Sequence, residues 1–261
     1  MNNTPANSVA NQIYANYSEA LQLCDGSGYS KDTLTEVVAK KNIIFRDTID
    51  NLDHLGPEVT RTIMGIGFAF SSKSIRVIDF GGGGGYHYTL ARHVLGDHFS
   101  IKWNVVETES MCQASSLMAD GSLNFFSDVL AAKDNLGYVD LVLASSSLQY
   151  CPDPIQYLRS LLSLSAKYIY ITRTPFSTLS SDSSITTIQS SLLSHNGPGK
   201  LPDGYSDQEV IYPITFVPLN QVEEIIQEKY TIKFKILEEQ GNLSFHDNII
   251  NSYYGIFCEL N

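Results

Sequence analysis

The stretch Val77-Ile78-Asp79-Phe80-Gly81-Gly82-Gly83-Gly84-Gly85 decides the fold. The apolar residues from Ile75 onward read as a buried strand that ends near an acid and opens into five glycines. Glycine turns sharply and lets a backbone approach a ligand with no side chain in the way. The amides at the start of the following helix then face a polar or charged group. Spacing narrows the reading. A dinucleotide-binding turn needs Gly-x-Gly-x-x-Gly, and in each register here the third glycine is replaced, by Tyr86, His87 or Tyr88. Gly81, Gly83 and Gly85 instead form Gly-x-Gly-x-Gly.

Around this run, short apolar stretches alternate with helical patterns, the sign of a parallel sheet with crossover helices. Strands are expected at Ile75–Phe80, Ile101–Glu107, Leu123–Phe126, Val139–Ser145 and Tyr168–Arg173. Before the last of these, Asp153 reads as an N-cap and Pro154 as a first helical residue, with Ile155, Leu158, Leu161 and Leu162 facing inward. Thr174–Pro218 breaks the alternation. It is rich in Ser, Thr, Gly and Pro and too long for a plain connector, so it reads as a substrate lid. A helix then starts at Asn220, where Glu223 would complete a capping box. Strands Thr231–Glu238 and Tyr253–Leu260 close the chain as an antiparallel edge pair. Upstream, Tyr14–Leu23 and Asp32–Leu52 read as helices, the second with an apolar stripe of Leu34, Val37, Val38, Ile44, Phe45, Ile49 and Leu52. A third helix begins at Pro57. The expected fold is α/β, a mostly parallel seven-stranded sheet with helices on both faces. An N-terminal helical cap would occupy 1–73 and the main domain 74–261, with 174–218 as its lid.

At 261 residues the chain can bury one large core. Lys and Arg number 17 against 28 Asp and Glu, a formal net charge of -11. That balance argues against a nucleic-acid partner, whose affinity rests largely on phosphate neutralisation, and favours a small-molecule or saccharide partner. Cys24, Cys112, Cys151 and Cys258 are scattered with no metal-type spacing, and they read as reduced thiols with no metal site. Met1–Ala10 is polar, unlike a signal peptide. No apolar run approaches the roughly 20 residues that span a bilayer. A cytoplasmic protein without a membrane span is expected, with the N-terminal helices free to cap the site or to form a homodimer contact.

Further polar residues fall at the expected carboxyl ends of the strands, where ligands bind in such sheets. The second strand ends in Glu107, an acid whose two oxygens can take both hydroxyls of a ribose; an exposed strand-end glutamate is the alternative. The third ends Phe125-Phe126-Ser127-Asp128, where Asp128 could accept from an adenine amino group or simply cap the next helix. The fourth runs Asp140-Leu141-Val142-Leu143-Ala144-Ser145-Ser146-Ser147-Leu148-Gln149-Tyr150. In order and spacing these motifs resemble the core of class I S-adenosylmethionine (SAM)-dependent methyltransferases over Ile75–Thr174, and Gly-x-Gly-x-Gly is the glycine spacing of that family. Three further pieces, Tyr14-Ala15-Asn16-Tyr17-Ser18-Glu19-Ala20, Cys24-Asp25-Gly26-Ser27-Gly28-Tyr29 and Ile171-Thr172-Arg173-Thr174-Pro175, are similar to a family of bacterial methyltransferases of unassigned substrate. That family is often encoded among surface-polysaccharide biosynthesis genes. The resemblance implies a Rossmann-like class I methyltransferase fold and SAM as cofactor. It places Asp79, Gly81, Gly83 and Gly85 at the methionine end of SAM, Glu107 at the ribose, Ser127 and Asp128 at the adenine, and Ser145 and Ser146 near the sulfonium.

Methyl transfer is an in-line displacement, so the protein must align an acceptor with the methyl group and, for a hydroxyl, remove a proton. The residues after the fourth strand lack an Asn/Asp-Pro-Pro-aromatic signature of amide or adenine N-methylation, and no catalytic cysteine pair is evident. O-methylation of a saccharide or related small molecule is therefore the expected reaction. His87, His195 and Tyr150 are the base candidates, with His87 also placed to pack on the stripe of Leu90, Ala91 and Val94. Tyr86, Arg173 and Tyr212 are the acceptor-binding candidates; Arg173 could pair with an acidic or phosphorylated group or form a structural salt bridge. Two other classes stay open: a nucleotide-cofactor oxidoreductase, and a non-catalytic methyltransferase-like binding protein.

Overall fold

The computed structural model describes residues 12–24, 28–51, 56–70, 73–96, 98–177, 183–240, 244–245, 248–249 and 251–261. Its helices are α1 (Tyr17–Leu23), α2 (Asp32–Thr48), α3 (Pro57–Ala69), α4 (Tyr86–Leu95), α5 (Glu109–Ala114), α6 (Val129–Leu136), α7 (Pro154–Ser163) and α8 (Leu219–Gln227). The strands are β1 (Ser74–Phe80), β2 (Ser100–Val106), β3 (Leu123–Phe126), β4 (Leu141–Ser145), β5 (Tyr168–Ser177), β6 (Ile185–Leu192), β7 (Glu209–Pro218) and β8 (Tyr230–Gln240). A short pair, β9 (Ser244–Phe245) and β10 (Asn248–Ile249), precedes the last strand, β11 (Asn251–Leu260).

The main sheet runs β3-β2-β1-β4-β5-β11-β8. The first five strands are parallel neighbours, and β11 lies antiparallel between β5 and β8. This is the Rossmann-like seven-strand arrangement expected from the sequence. Strand order reverses at β1, and a crevice for ligands opens outside the carboxyl ends of β1 and β4 at such a point. Each face of the sheet is covered. Ala132 and Leu136 of α6, Leu158, Leu161 and Leu162 of α7 and Val222, Ile225 and Ile226 of α8 bury one face. Ile66 and Ala69 of α3, Tyr88 and Ala91 of α4 and Met118 bury the other. Asp153 caps α7 as read, accepting from the Gln156 amide at 2.9 Å ahead of Pro154.

Several boundaries differ, each for a local reason. β5 does not stop at Arg173. That residue takes a left-handed φ of 54° where the β5–β11 register shifts opposite Gly255, and the strand continues to Ser177. The lid-like stretch holds a two-stranded ribbon: β6 and β7 pair antiparallel, and β7 joins the end of β5 in parallel. The run Ile185-Thr186-Thr187-Ile188 is β-branched throughout, which favours a strand, and the surrounding Ser and Gly content hid that signal. Residues 178–182 of the stretch lie outside the described residues. The expected Asn220–Glu223 capping box does not form; α8 starts at Leu219 after Pro218 without a side-chain cap, and Glu223 pairs with Lys235 at 2.5 Å. Tyr14 sits in an isolated bridge to Thr186, while α1 begins at Tyr17, capped by Asn16. Ile44 is 48% exposed rather than part of the α2 stripe, and Leu52 lies outside the described residues. Among the described residues no helix is long and apolar enough to cross a membrane, and Cys24, Cys112, Cys151 and Cys258 are free thiols.

Gly65 fixes how closely α3 approaches the sheet, because a Cβ there would fall 2.3 Å from the ring of buried Tyr170. Gly65→Ala should therefore overpack this contact and lower unfolding stability by about 1–3 kcal/mol, although alanine is the better helix former. A urea titration measures this, and an equal or raised midpoint would contradict the packing described.

Candidate functional site

The glycine loop owes its spacing to backbone geometry. Gly81, Gly83 and Gly85 have φ of 70°, 56° and 89°, left-handed at every second residue, a region that side chains disfavour. The Gly81 amide donates to the Val106 carbonyl at 2.8 Å, which ties the loop to β2. A Cβ at Gly81 would meet the Ser147 Cβ at 2.2 Å, and one at Gly85 would meet Leu123 at 2.8 Å. A Cβ at Gly83 would meet only Val38 Cγ1, in ordinary contact at 3.5 Å. Its glycine is thus required by φ and not by crowding from the chain, which leaves this face of the loop open to a ligand.

Asp79 lies beneath the loop, fully buried. Its carboxylate meets His87 Nδ1 at 3.0 Å and accepts from Trp103 Nε1 at 3.1 Å. A Cβ at Gly82 would sit 2.4 Å from Asp79 Oδ2, so the loop closes over the acid. Asp79, read from sequence as a residue of the methionine end, is thus enclosed by His87, Trp103 and the loop itself. The contact pairs an imidazole nitrogen with a carboxyl group, and the loop and β1 hold both in place. His87, a base candidate, is 5% exposed and locked between the loop and β1.

Glu107 follows β2, half-buried. It accepts from the Gly83 amide at 3.1 Å and from the Thr108 amide at 2.9 Å. Burial pushes its carboxyl above the usual range; the Thr108 and Gly83 amides oppose this, and the charge of Asp79 adds to it. Each carboxylate oxygen keeps lone-pair capacity for a further donor, as a ribose diol requires. Ser127 and Asp128 are exposed beyond β3. Asp128 caps α6 through the Ala131 amide at 2.8 Å, which is the alternative weighed from sequence.

The carboxyl ends of β4 and β5 gather polar groups without enough partners. Ser145 Oγ, Ser147 Oγ and Gln149 Oε1 are buried with no hydrogen-bond partner among the described residues. Ser146 has φ 55°, and its hydroxyl accepts from Gln149 Nε2 at 3.0 Å. Gln149 Nε2 also reaches the Arg173 carbonyl at 3.4 Å, which fixes the amide orientation and leaves Oε1 as the free acceptor. The strained backbone of Arg173 is held by Glu238 of β8, whose side chain is 2% exposed and accepts from the Arg173 amide at 2.6 Å and from the Thr172 hydroxyl. A strand bulge re-aims side chains in this way. The half-buried Arg173 guanidinium has no carboxylate partner among the described residues.

Tyrosines wall this space. Tyr29, Tyr150 and Tyr212 pack as a trio with centroid separations of 5.1 to 5.5 Å. Burial raises the phenols of Tyr29, Tyr150 and Tyr253 above their ordinary value, and the charge of Arg173 lowers each, so the guanidinium lies within electrostatic reach of all three. Tyr150 donates to Gln189 at 3.1 Å; to act as a base it would first have to lose that proton against its burial. Tyr86 instead packs on Phe45 of α2, at 4.9 Å. His195 is exposed in the turn Leu193–His195, and α2 lies between that turn and the glycine loop. Val38 touches the Gly83 side, while Lys41 donates to the Ser194 and Asn196 carbonyls, both at 2.7 Å. The structure thus brings together Gly81, Gly83, Glu107, Ser145, Ser146, Tyr150, Arg173 and Tyr212, and leaves His195 and Tyr86 aside. Tyr29, Gln149, Glu238 and Asn42 were missed. Of these, Tyr29 and Gln149 lie in stretches quoted from the sequence, Cys24–Tyr29 and Asp140–Tyr150, without a role assigned to either.

No known protein family and no curated protein matches the chain. Among solved structures, a SAM-dependent methyltransferase from Clostridium acetobutylicum ATCC 824 aligns at 11% identity and a TM-score of 0.49, covering 85% of this chain and 98% of that one. The CcbJ methyltransferase from Streptomyces caelestis aligns at 11% identity and 0.49, covering 86% and 98%. The [4+2]-cyclase SpnF aligns at 11% identity and 0.46, covering 77% and 81%. A likeness at this level, shared by a methyltransferase and a cyclase, does not decide function.

Gly83→Val forces a β-branched residue into the left-handed region at a place with room for it. It should abolish S-adenosylhomocysteine binding while a cooperative thermal transition persists. A folded variant with unaltered affinity, read by calorimetry, would contradict the ligand-facing placement of Gly83.

Proposed function

We propose that the chain is a SAM-dependent methyltransferase that O-methylates a saccharide or related small-molecule acceptor. The observation that carries this reading is the alternation of left-handed glycines at Gly81, Gly83 and Gly85, with Glu107 joined to the Gly83 amide. Beside them lie the partnerless buried oxygens of Ser145, Ser147 and Gln149. An unsatisfied buried acceptor is costly unless a ligand completes it, so these groups suit a polar ligand lying across the ends of β1 and β4. When bound, SAM supplies an electrophilic methyl group on its sulfonium.

In this reading Gly81, Gly83 and Gly85 cradle the cofactor backbone, Glu107 accepts from the ribose hydroxyls, and Ser127 and Asp128 flank the adenine. Ser145 and Ser146 lie toward the sulfonium. The acceptor sits between the tyrosine trio and Arg173, whose free guanidinium suits a carboxylate or phosphate on the acceptor. The ribbon of β6 and β7 is the lid over this space: it supplies Tyr212, and Tyr150 reaches its Gln189. Tyr150 orients the acceptor as a hydrogen-bond donor.

Calorimetric titration separates this reading from its rivals. SAM and S-adenosylhomocysteine should bind and NAD should not; NAD binding without SAM binding would point to an oxidoreductase. Glu107→Ala should weaken S-adenosylhomocysteine by about 1.5–3 kcal/mol, the worth of hydrogen bonds to a charged group. An unchanged dissociation constant would remove Glu107 from the site. Mass spectrometry after incubation of methyl-labelled SAM with glycan precursors would then identify the acceptor. Arg173→Ala should raise KM for that acceptor at least about tenfold while S-adenosylhomocysteine affinity stays within about twofold. Equal KM values for variant and unaltered enzyme would exclude an anionic contact.

A further inference from the structure

With Asp79 closed off beneath the loop, the cofactor's ammonium needs another acceptor. The α2 helix supplies one. Val38 and Asn42, one turn apart, form the face of α2 that lies on the glycine loop: Val38 touches the Gly83 side, and a Cβ on Gly84 would come within 2.8 Å of the Asn42 amide group. Asn42 is 2% exposed. Its Nδ2 donates to the Val38 carbonyl at 2.8 Å, and a carbonyl can only accept, so the orientation of the amide is settled. Oδ1 is therefore the acceptor left over, and it is buried with no partner among the described residues. Native structures rarely leave such an oxygen unsatisfied, and here it belongs to a side chain packed against the glycine loop at Gly84.

We propose that Asn42 is a cofactor-binding residue, its Oδ1 accepting from the α-ammonium of the methionyl end of SAM. This rests on the SAM reading above. Glu107 already serves the ribose hydroxyls, so the ammonium is the strong donor left to the Gly83–Gly84 end of the loop. The assignment also gives the N-terminal region a direct part in the site. Lys41, the neighbouring residue, ties the same helix to the Leu193–His195 turn, so α2 couples the cofactor cradle to the lid-like stretch.

Two ligands test this by calorimetry on the full chain: S-adenosylhomocysteine, which carries the ammonium, and 5′-methylthioadenosine, which keeps the adenosine and thioether but lacks the amino-acid end. Asn42→Ala should weaken S-adenosylhomocysteine by about tenfold or more and 5′-methylthioadenosine by no more than about twofold. Asn42→Asp keeps an acceptor and should bind S-adenosylhomocysteine more tightly than Asn42→Ala does, which holds the test open if the alanine variant folds poorly. Weakening of both ligands by the same factor would assign Asn42 a purely structural role and overturn the proposal, as would no change in either. Failure of the unaltered protein to bind S-adenosylhomocysteine would instead overturn the SAM reading itself.

Discussion

The buried carboxylate of Asp79 organises the glycine loop from beneath it. By binding His87 Nδ1 and Trp103 Nε1, it joins the end of β1, the first turn of α4 and the centre of β2. Hydrogen bonds to a buried charge are strong, and removing one partner would leave that charge uncompensated. The three elements it joins lie at the base of the glycine loop. The loop can therefore hold three left-handed residues within five, a conformation that a free glycine segment would populate rarely because of its entropy. The acid that ends β1 is thus what makes the cradle rigid, and Gly82 is small because it must close over that acid.

On this base the site is layered. Glu107 grips the loop from the β2 side, α2 covers it from above, and the ends of β4 and β5 extend it toward the acceptor. Each layer contains a device that a purely structural fold would avoid: a half-buried carboxylate raised by desolvation, an orphan amide oxygen on Asn42, partnerless serines, and a non-glycine left-handed residue at Arg173. Strain and unsatisfied polar groups concentrate where a ligand completes the structure. Asn42, Ser145, Ser147, Gln149 and Arg173 carry such features near the point where strand order reverses.

The parallel core was legible because its signals are local. Apolar strands, the Asp153–Pro154 helix start and the alternating glycines each depend on neighbours in sequence, and the structure places them as read. The lid-like stretch was less legible: its strands pair with β5 and with each other across long loops, and its Ser and Thr residues resemble loop composition even where β-branching favours a strand. Site residues divide the same way. Gly81, Gly83 and Glu107 announce themselves by spacing from the loop. Asn42 looks like an ordinary polar residue on a helix, and only the packing of α2 on Gly84 sets it beside the loop. Glu238 sits in an edge strand and reaches Arg173 through a register shift that periodicity does not reveal. The sequence left His87 open as a base or a packed residue, and its contact with Asp79 exists only because the fold brings the start of α4 over β1.

A crystal structure of the protein soaked with S-adenosylhomocysteine tests the central claim most directly. The account predicts the ligand across the ends of β1 and β4, with its ribose hydroxyls on Glu107 and its backbone against Gly81 and Gly83. Density for the ligand in any other place, or a ribose that does not touch Glu107, would contradict it.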